Sequence, residues 1–504
     1  MKRVSLLILV AISAWLMSGL GLGAAEKPAA KRPNIVFILA DDLGYAELGC
    51  YGQKKIRTPH IDRLASQGMR FTQHYSGAPV CAPSRCVLMT GKHLGHAQIR
   101  GNRQHRGPDG QPVEGQHPIT ADALTIAEVL KKAGYVTGAF GKWGLGPVGT
   151  SGAPHEQGFD LFFGYNCQGV AHSYFPPHLW RNGEKIPLNA KPIPGHAKQP
   201  TGLVKLEDWQ GEKYASTLLE QEAVKFLHDN QHQPFFLYLP FIEPHVAMHP
   251  PKELVESYPE AWDDRQYRGQ CGYLPHPRPR AAYAAMITHL DQHVGAVLKA
   301  LDDLQLTDNT IVLFSSDNGT THGSPGDEVF GVGGCDSAFF NSVGDLRGFK
   351  GSLHEGGIRV PFIVRWPGRV QAGAVSSFPS YFADHFPTLC DVAKITKPDG
   401  LDGISLIPTF TGQGQPAARN PLVWVFPEYG GQVAVRIGDF KVIRKQLATK
   451  TPGEWEVYDL ANDWSESRDV AKDRRDLIAQ AEDILRKESV ANAVFPVKVP
   501  GVLE

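Results

Sequence analysis

"NIVFILADDLG", residues 34–44, sets the fold. Ile35 to Leu39 is a continuous apolar run rich in β-branched side chains. A strand of that kind is buried on both faces and belongs inside a parallel sheet. It ends at Asp41 and Asp42. Far downstream, "NTIVLFSSDNG" (309–319) repeats the design, with an apolar Ile311–Phe314 run ending near Asp317 and Asn318. In open α/β sheets, ligands gather beyond the carboxyl ends of the strands. Two buried strands that each end in a pair of side-chain oxygens therefore predict one shared site.

Helices alternate with such strands. In "TIAEVLKKAGY" Thr125 and Glu128 form a capping box, and Gly134 ends the helix. "YVTGAF" then leads to Gly141, Lys142 and Trp143. Residues 214–230 and 281–304 carry helical apolar spacing, and "PFFLYLPF" (234–241) is another buried strand, running into Glu243-Pro244-His245. The alternation predicts an α/β fold: a large, mostly parallel sheet sandwiched by helices. After about residue 400 the texture changes. "PLVWVFPEY", "QVAVRIGDFKVIRK" and "EWEVYDL" read as short strands, followed by a helix over 476–488. The expected division is a catalytic domain over 34–398 and a smaller C-terminal antiparallel-sheet subdomain over 399–504.

The 504 residues carry a formal net charge of −1, which gives no support for nucleic-acid binding. Any anion handled here must be met by a local cluster of cations. Lys2 and Arg3, an apolar run to Leu22 and the small residues Gly23-Ala24-Ala25 read as a signal peptide over 1–25, with a linker over 26–33. The competing reading of that run is a membrane anchor. The expectation is export to a periplasm or the outside, with no stable anchor. Seven cysteines are too few for a disulfide scaffold and show no zinc-type spacing.

One cysteine has unusual company. In "GAPVCAPSRCVLMTGKH" (77–93), Pro83 suits the first turn of a short helix over 84–90, which Gly91 would stop. Cys81 would lie at its electropositive start. Arg85 opposes the helix dipole there, a local misfit that points to function. On residue types alone, Cys81 reads equally as a buried cysteine before an ordinary helix. Asp41, Asp42, Asp317 and Asn318 offer only oxygen, which suits Ca²⁺ or Mg²⁺. Strand-end turn residues are the competing reading.

"CAPSRCVLMTG" resembles the Cys-x-Pro-Ser-Arg…Thr-Gly signature of the type I sulfatases. "ADDLGYAELGCYG" (40–52), "GKWGLG" (141–146), "PHVAMHPP" (244–251), "SSDNG" (315–319), "LRGFKGSLHEGGIRVP" (346–361), "LDGISLIP" (401–408) and "VRIGDFKVI" (435–443) resemble further blocks of that family, in the same order. The resemblance implies an alkaline phosphatase-like fold and hydrolysis of a sulfate ester to alcohol and sulfate. It implies that a maturation enzyme oxidises Cys81 to formylglycine (3-oxoalanine). The aldehyde hydrates; one hydroxyl attacks sulfur, and the other later expels sulfate.

The resemblance also implies site roles. Asp41, Asp42, Asp317, Asn318 and the modified Cys81 would meet a divalent metal, usually calcium and alternatively magnesium. Arg85, Lys142 and Lys350 match anion-binding positions, and His245 with Lys350 would protonate the departing alcohol. Many members read Gly-Lys-Trp-His, whereas position 144 here is Gly. Either another base takes its place, with His96 and His172 as candidates, or the step runs differently. The aromatic stretch 164–183 reads either as a sugar cleft or as a packed loop. The substrate expected is a sulfated small molecule or glycan. The alternatives are a phosphomonoester or phosphonate hydrolase and a non-catalytic binder of sulfated glycans.

Overall fold

Asn34–Ala40 and Thr310–Ser316 lie side by side and parallel, in register from Asn34 opposite Thr310 to Ala40 opposite Ser316. The computed structural model describes residues 32–196, 204–321, 330–414 and 419–504. The signal-peptide reading and most of the linker lie outside the described residues. Phe235–Pro240 pairs parallel on the other side of Asn34–Ala40, with Leu39 opposite Pro240. Val136–Lys142 and Leu161–Tyr165 extend the parallel block.

Among the described residues the sheet has eleven strands. Arg359–Arg365 runs antiparallel to Thr310–Ser316, and Met69–Tyr75 runs antiparallel to Arg359–Arg365. A hairpin of His178–Arg181 and Glu184–Pro187 forms the opposite edge. Side chains of the central strand alternate between two cores. Ile35, Phe37 and Leu39 enter one; Val36, Ile38 and Ala40 enter the other. That is why the sequence shows a continuous apolar run: neither face meets water.

The Ala215–Asp229 and Pro279–Asp303 helices pack on the second face. Cys81–Thr90, Ile126–Lys132 and His385–Ala393 cover the first. The Thr125–Glu128 capping box forms as read, with both reciprocal bonds present.

Beyond residue 420, Leu422–Phe426, Gln432–Ile437, Phe440–Arg444 and Trp455–Asp459 make a four-stranded antiparallel meander. Its pleat divides its residues cleanly. Trp424, Phe426, Ala434, Ile443 and Tyr458 join the main core. Val423, Val425, Val433, Val435, Val442 and Val457 face Leu477, Ala481 and Leu485 of the Arg475–Lys487 helix. None of the seven cysteines is disulfide-bonded. Among the described residues, no helix is long and apolar enough to cross a membrane.

Candidate active site

The register of the central strands brings the strand-end residues to one place. Asp41 and Asp42 follow Ala40, Asp317 and Asn318 follow Ser316, and Lys142 ends its own strand. Backbone bonds tie these ends together: Asp41 N–H donates to the Glu243 carbonyl at 3.0 Å, and Asp317 N–H donates to the Ala40 carbonyl at 3.0 Å. Asp42 adopts a left-handed φ of 66°, which turns the chain sharply after the strand.

Cys81 is the first residue of its helix, not a residue before it; the helix runs Cys81–Thr90. This corrects the expected start at residue 84. Gly91 closes it as expected, at φ 65°, and donates to the Val87 carbonyl. The Cys81 Sγ lies 3.4 Å from Asp41 Oδ1, 3.5 Å from Lys142 Nζ and 3.6 Å from Lys350 Nζ. Burial, then the Asp41 charge, pushes its thiol up, against the pull of the two lysines.

Three cations, Arg85 and Lys142 buried and Lys350 partly so, meet three buried carboxylates. Arg85 reaches Asp317 Oδ2 through Nε at 3.0 Å and Nη2 at 2.8 Å, and its Nη1 donates to the Lys142 carbonyl. Lys142 Nζ sits 2.5 Å from Asp41 Oδ2, and Lys350 Nζ 2.7 Å from Asp42 Oδ2. Arg85 is only 1% exposed, so its place in the helix is set by this ion pair rather than by helix propensity. Burial raises the Asp41 carboxyl, but Lys142, His245, Arg85 and Lys350 together hold it well below the ordinary range. Asp317 is pushed up to about 6 by burial and the Asp41 charge, which outweigh Arg85.

The donor set fits a hard divalent ion. Asp41, Asp42, Asp317 and Asn318 supply oxygen only. Asn318 Nδ2 donates to Asp42 Oδ1 at 2.7 Å, which leaves Asn318 Oδ1 buried with no hydrogen-bond partner. An orphaned oxygen at that place is the atom a cation would satisfy.

His245 joins the cluster, with Nε2 at 3.7 Å from Asp42 Oδ2. Its Nδ1 lies 2.5 Å from the Val246 carbonyl, which fixes the proton on Nδ1 and leaves Nε2 free toward the carboxylates. Burial, then Lys350, lowers its pKa to about 4. His172 stacks on it, ring centroids 4.8 Å apart and 12° from parallel. His96 is not brought here. It sits beyond the far end of the Cys81 helix, with Nδ1 at 3.0 Å from Asp402 and its ring stacked on His93. Of the two candidates for the missing histidine, only His172 is near.

The space at residue 144 is filled by a side chain that no motif pointed to. Gly144 has φ 87°, and a Cβ added there would lie 2.1 Å from Gln168 Nε2 and 3.8 Å from the Ala82 Cβ. Gln168 is buried, and neither atom of its amide has a partner. Stretch 164–183 is largely packed. Tyr174 donates to the Ile242 and His245 carbonyls and so supports the His245 loop. His178 and Trp180 instead bind Glu114.

Lys350 is the most exposed of the three cations, and an open pocket of about 370 Å³ begins at it. Tyr429, Gln432, His354 and Lys445 line that pocket. Another pocket of about 370 Å³, lined by Tyr45, Lys54, Arg359 and Trp464, contains none of the clustered residues.

Residues 33–395 match the sulfatase family model, and residues 348–490 match a model for the C-terminal part of N-sulphoglucosamine sulphohydrolase. Human arylsulfatase A is 35% identical over 83% of this chain and 76% of its own length. The N-acetylgalactosamine-6-O-sulfatase of Bacteroides thetaiotaomicron is 30% identical over 90% of this chain and 93% of its own. The solved structure of Ps i-CgsB with k-i-k-neocarrahexaose superposes with a TM-score of 0.72 at 28% identity, covering 91% of this chain and 92% of that one. With its mixed central sheet, its antiparallel C-terminal sheet and these matches along nearly its whole described length, the chain belongs to the formylglycine-dependent sulfatase family and is a sulfuric ester hydrolase.

Proposed function

We propose that Cys81, converted to formylglycine, is the nucleophile precursor, and that the substrate is a sulfated carbohydrate. The observation that carries the reading is the balance of charge around Cys81. Asp41, Asp42 and Asp317 are matched by Arg85, Lys142 and Lys350, all buried except the partly buried Lys350. A divalent ion added to that neutral set leaves a formal excess of two positive charges, which calls for an anion. A sulfate ester, and then sulfate, supplies it.

Asp41, Asp42, Asp317 and Asn318 would hold the ion, which supplies a fixed positive charge for a sulfate oxygen; calcium is our first choice and magnesium the second. As formylglycine, residue 81 supplies a hydrated aldehyde with one hydroxyl to attack sulfur and a second to release sulfate. The residues around it do the rest. Lys142 and Lys350 approach the reacting position from two sides and stabilise charge without reorganising. Arg85 holds Asp317 in place. Lys350 delivers the proton to the departing alcohol, beside the inward-facing Nε2 of His245, which accepts a hydrogen bond in its neutral form. His172 positions His245 by stacking. Gln168 offers an amide donor where relatives carry the histidine that is absent here.

The carbohydrate reading rests on the names of the Bacteroides thetaiotaomicron relative and of the Ps i-CgsB complex, and on the open pocket at Lys350. A cleft of that shape admits a sugar from the Lys350 side. Export agrees with such a substrate and with the apolar leader over 4–22.

The test joins three measurements on protein from its native host. Mass spectrometry of the peptide holding residue 81 is expected to show the aldehyde, and Cys81→Ala to abolish sulfate release. Chelation is expected to stop turnover, with calcium or magnesium restoring it. Sulfated oligosaccharides should be cleaved in preference to matched phosphate esters. Unmodified cysteine in fully active enzyme would sink the proposal.

A further inference from the structure

A second group of ligand atoms lies behind the His245 loop. His289 and His293 are one helical turn apart on the Pro279–Asp303 helix and so share a face. Their rings lie 4.1 Å apart, centroid to centroid. Glu243, wholly buried, comes from the segment after the Phe235–Pro240 strand. Glu243 Oε1 is 3.5 Å from His289 Nδ1 and 3.5 Å from His293 Nε2. All of these atoms are buried without a hydrogen-bond partner, and so is Glu243 Oε2.

Leaving one such group unpaired is costly, and four converge here. The spacing explains them. At 3.5 Å the N···O pairs are too long for good hydrogen bonds. Tetrahedral zinc bound at 2.0–2.2 Å puts neighbouring ligand atoms about 3.3–3.6 Å apart. We infer that Glu243, His289 and His293 form a second cation site, distinct from the Asp41–Asp42–Asp317–Asn318 cluster, for a borderline divalent ion of the zinc class.

The surroundings agree with that chemistry. Two imidazoles and a carboxylate suit zinc rather than calcium. Glu220 Oε2 lies 3.3 Å from His293 Nδ1, on the side away from Glu243. A carboxylate on the outer nitrogen is the usual way to aim a metal-binding imidazole. Glu220 also brings the formal charge of a zinc–Glu243 pair to zero. It is about a quarter exposed, so the group lies near solvent on that side. The Tyr214 hydroxyl, buried and unpartnered, lies close by, its ring 5.2 Å from that of His289. A proton on His293, held by Glu220 and Glu243, is the competing arrangement. It leaves Glu243 Oε2 still without a partner.

The ion would act as a structural pin. Glu243 precedes His245 by two residues, and its carbonyl accepts the Asp41 N–H. Tying Glu243 to the long helix fixes the segment from which His245 projects.

The experiment uses the full chain, stripped with chelator, resaturated with calcium, then given zinc and desalted. Elemental analysis is expected to find one zinc per chain in the wild type and none in Glu243→Gln, a near-isosteric change. An anomalous peak at the zinc edge should fall between the three side chains. Zinc should raise the melting temperature of the wild type and leave that of Glu243→Gln unmoved, while Glu220→Gln should weaken zinc binding about 10–100-fold. Wild-type protein that keeps no zinc overturns the site, as does equal retention by His289→Gln/His293→Gln. None of these readouts depends on sulfate release, so failure here leaves the proposed function standing.

Discussion

Gln168 shows how one residue can be replaced by another that is remote in sequence. Gly144 takes a left-handed backbone that L side chains avoid, and the Gln168 amide occupies the space beside it. Both amide atoms are buried and unpaired in the protein alone. We propose a bound sulfate group as the partner that satisfies the donor. Gln168→Ala is therefore expected to lower kcat by about 10²-fold, as loss of one preorganised donor does, with the melting temperature little changed. Steady-state kinetics beside thermal unfolding check this. Asp41, Asp42, Asp317 and Asn318 were legible as a group, because each pair ends a buried strand and strand ends converge. Gln168 was not, since its place depends on a backbone angle and on the packing of a distant loop. His96 misled because neighbourhood in sequence to Cys81 is not neighbourhood in space: a ten-residue helix separates them.

Elements form where local chemistry and burial agree. The Ile126–Lys132 helix is the clearest case. Thr125 accepts from the Glu128 N–H, and Glu128 accepts from the Thr125 N–H at 2.8 Å. The Thr125 hydroxyl also donates to the Gln157 carbonyl at 2.8 Å. Thr125→Ala should cost about 1–2 kcal/mol, read from urea unfolding, and leave sulfate release per folded molecule unchanged. Where apolar spacing marked a helix, its bounds held to within a residue or two: the reading of 214–230 became Ala215–Asp229, and 476–488 became Arg475–Lys487. The Cys81 helix starts three residues early because Cys81 to Pro83 are fixed from outside it. The Ala82 N–H, for example, donates to Asn102 at 2.9 Å. Propensity carries no trace of such a contact.

At the scale of the whole molecule, a buried charge network joins the C-terminal sheet to the sheet that carries the site. Lys441, on the Phe440–Arg444 strand, lies 2.8 Å from Glu355 and 2.7 Å from Glu466, all three wholly buried. Removing one partner of such a network costs about 3–5 kcal/mol, so Lys441→Met should unfold much more easily. Burial opposes ionised Glu355, yet Lys441, Arg359 and Arg436 lower its pKa from 4.5 to about 2. A depressed folded pKa gives stability that is complete above about pH 4.5 and lost as pH falls through 2. The gap in stability between wild type and Lys441→Met should thus be widest above pH 4.5 and shrink on acidification. Denaturant titrations across pH 2–6 measure it. The strand order of the large sheet, with its antiparallel Arg359–Arg365 and Met69–Tyr75 strands, was beyond sequence reading. Strand direction depends on which segments meet, and only the parallel centre advertises itself by continuous apolar runs.

Cys81 is 2% exposed, opens a helix, and is hemmed in by Asp41, Lys142 and Lys350. The conversion proposed for Cys81 needs a catalyst to reach residues 81–85, which the folded chain buries in a helix. Conversion and folding are therefore competitors in time, and whichever comes first decides the fate of each molecule. The active fraction of a preparation should fall when synthesis outruns the maturation enzyme. Folded thiol protein incubated with that enzyme should stay inert, while the same chain presented unfolded should be converted.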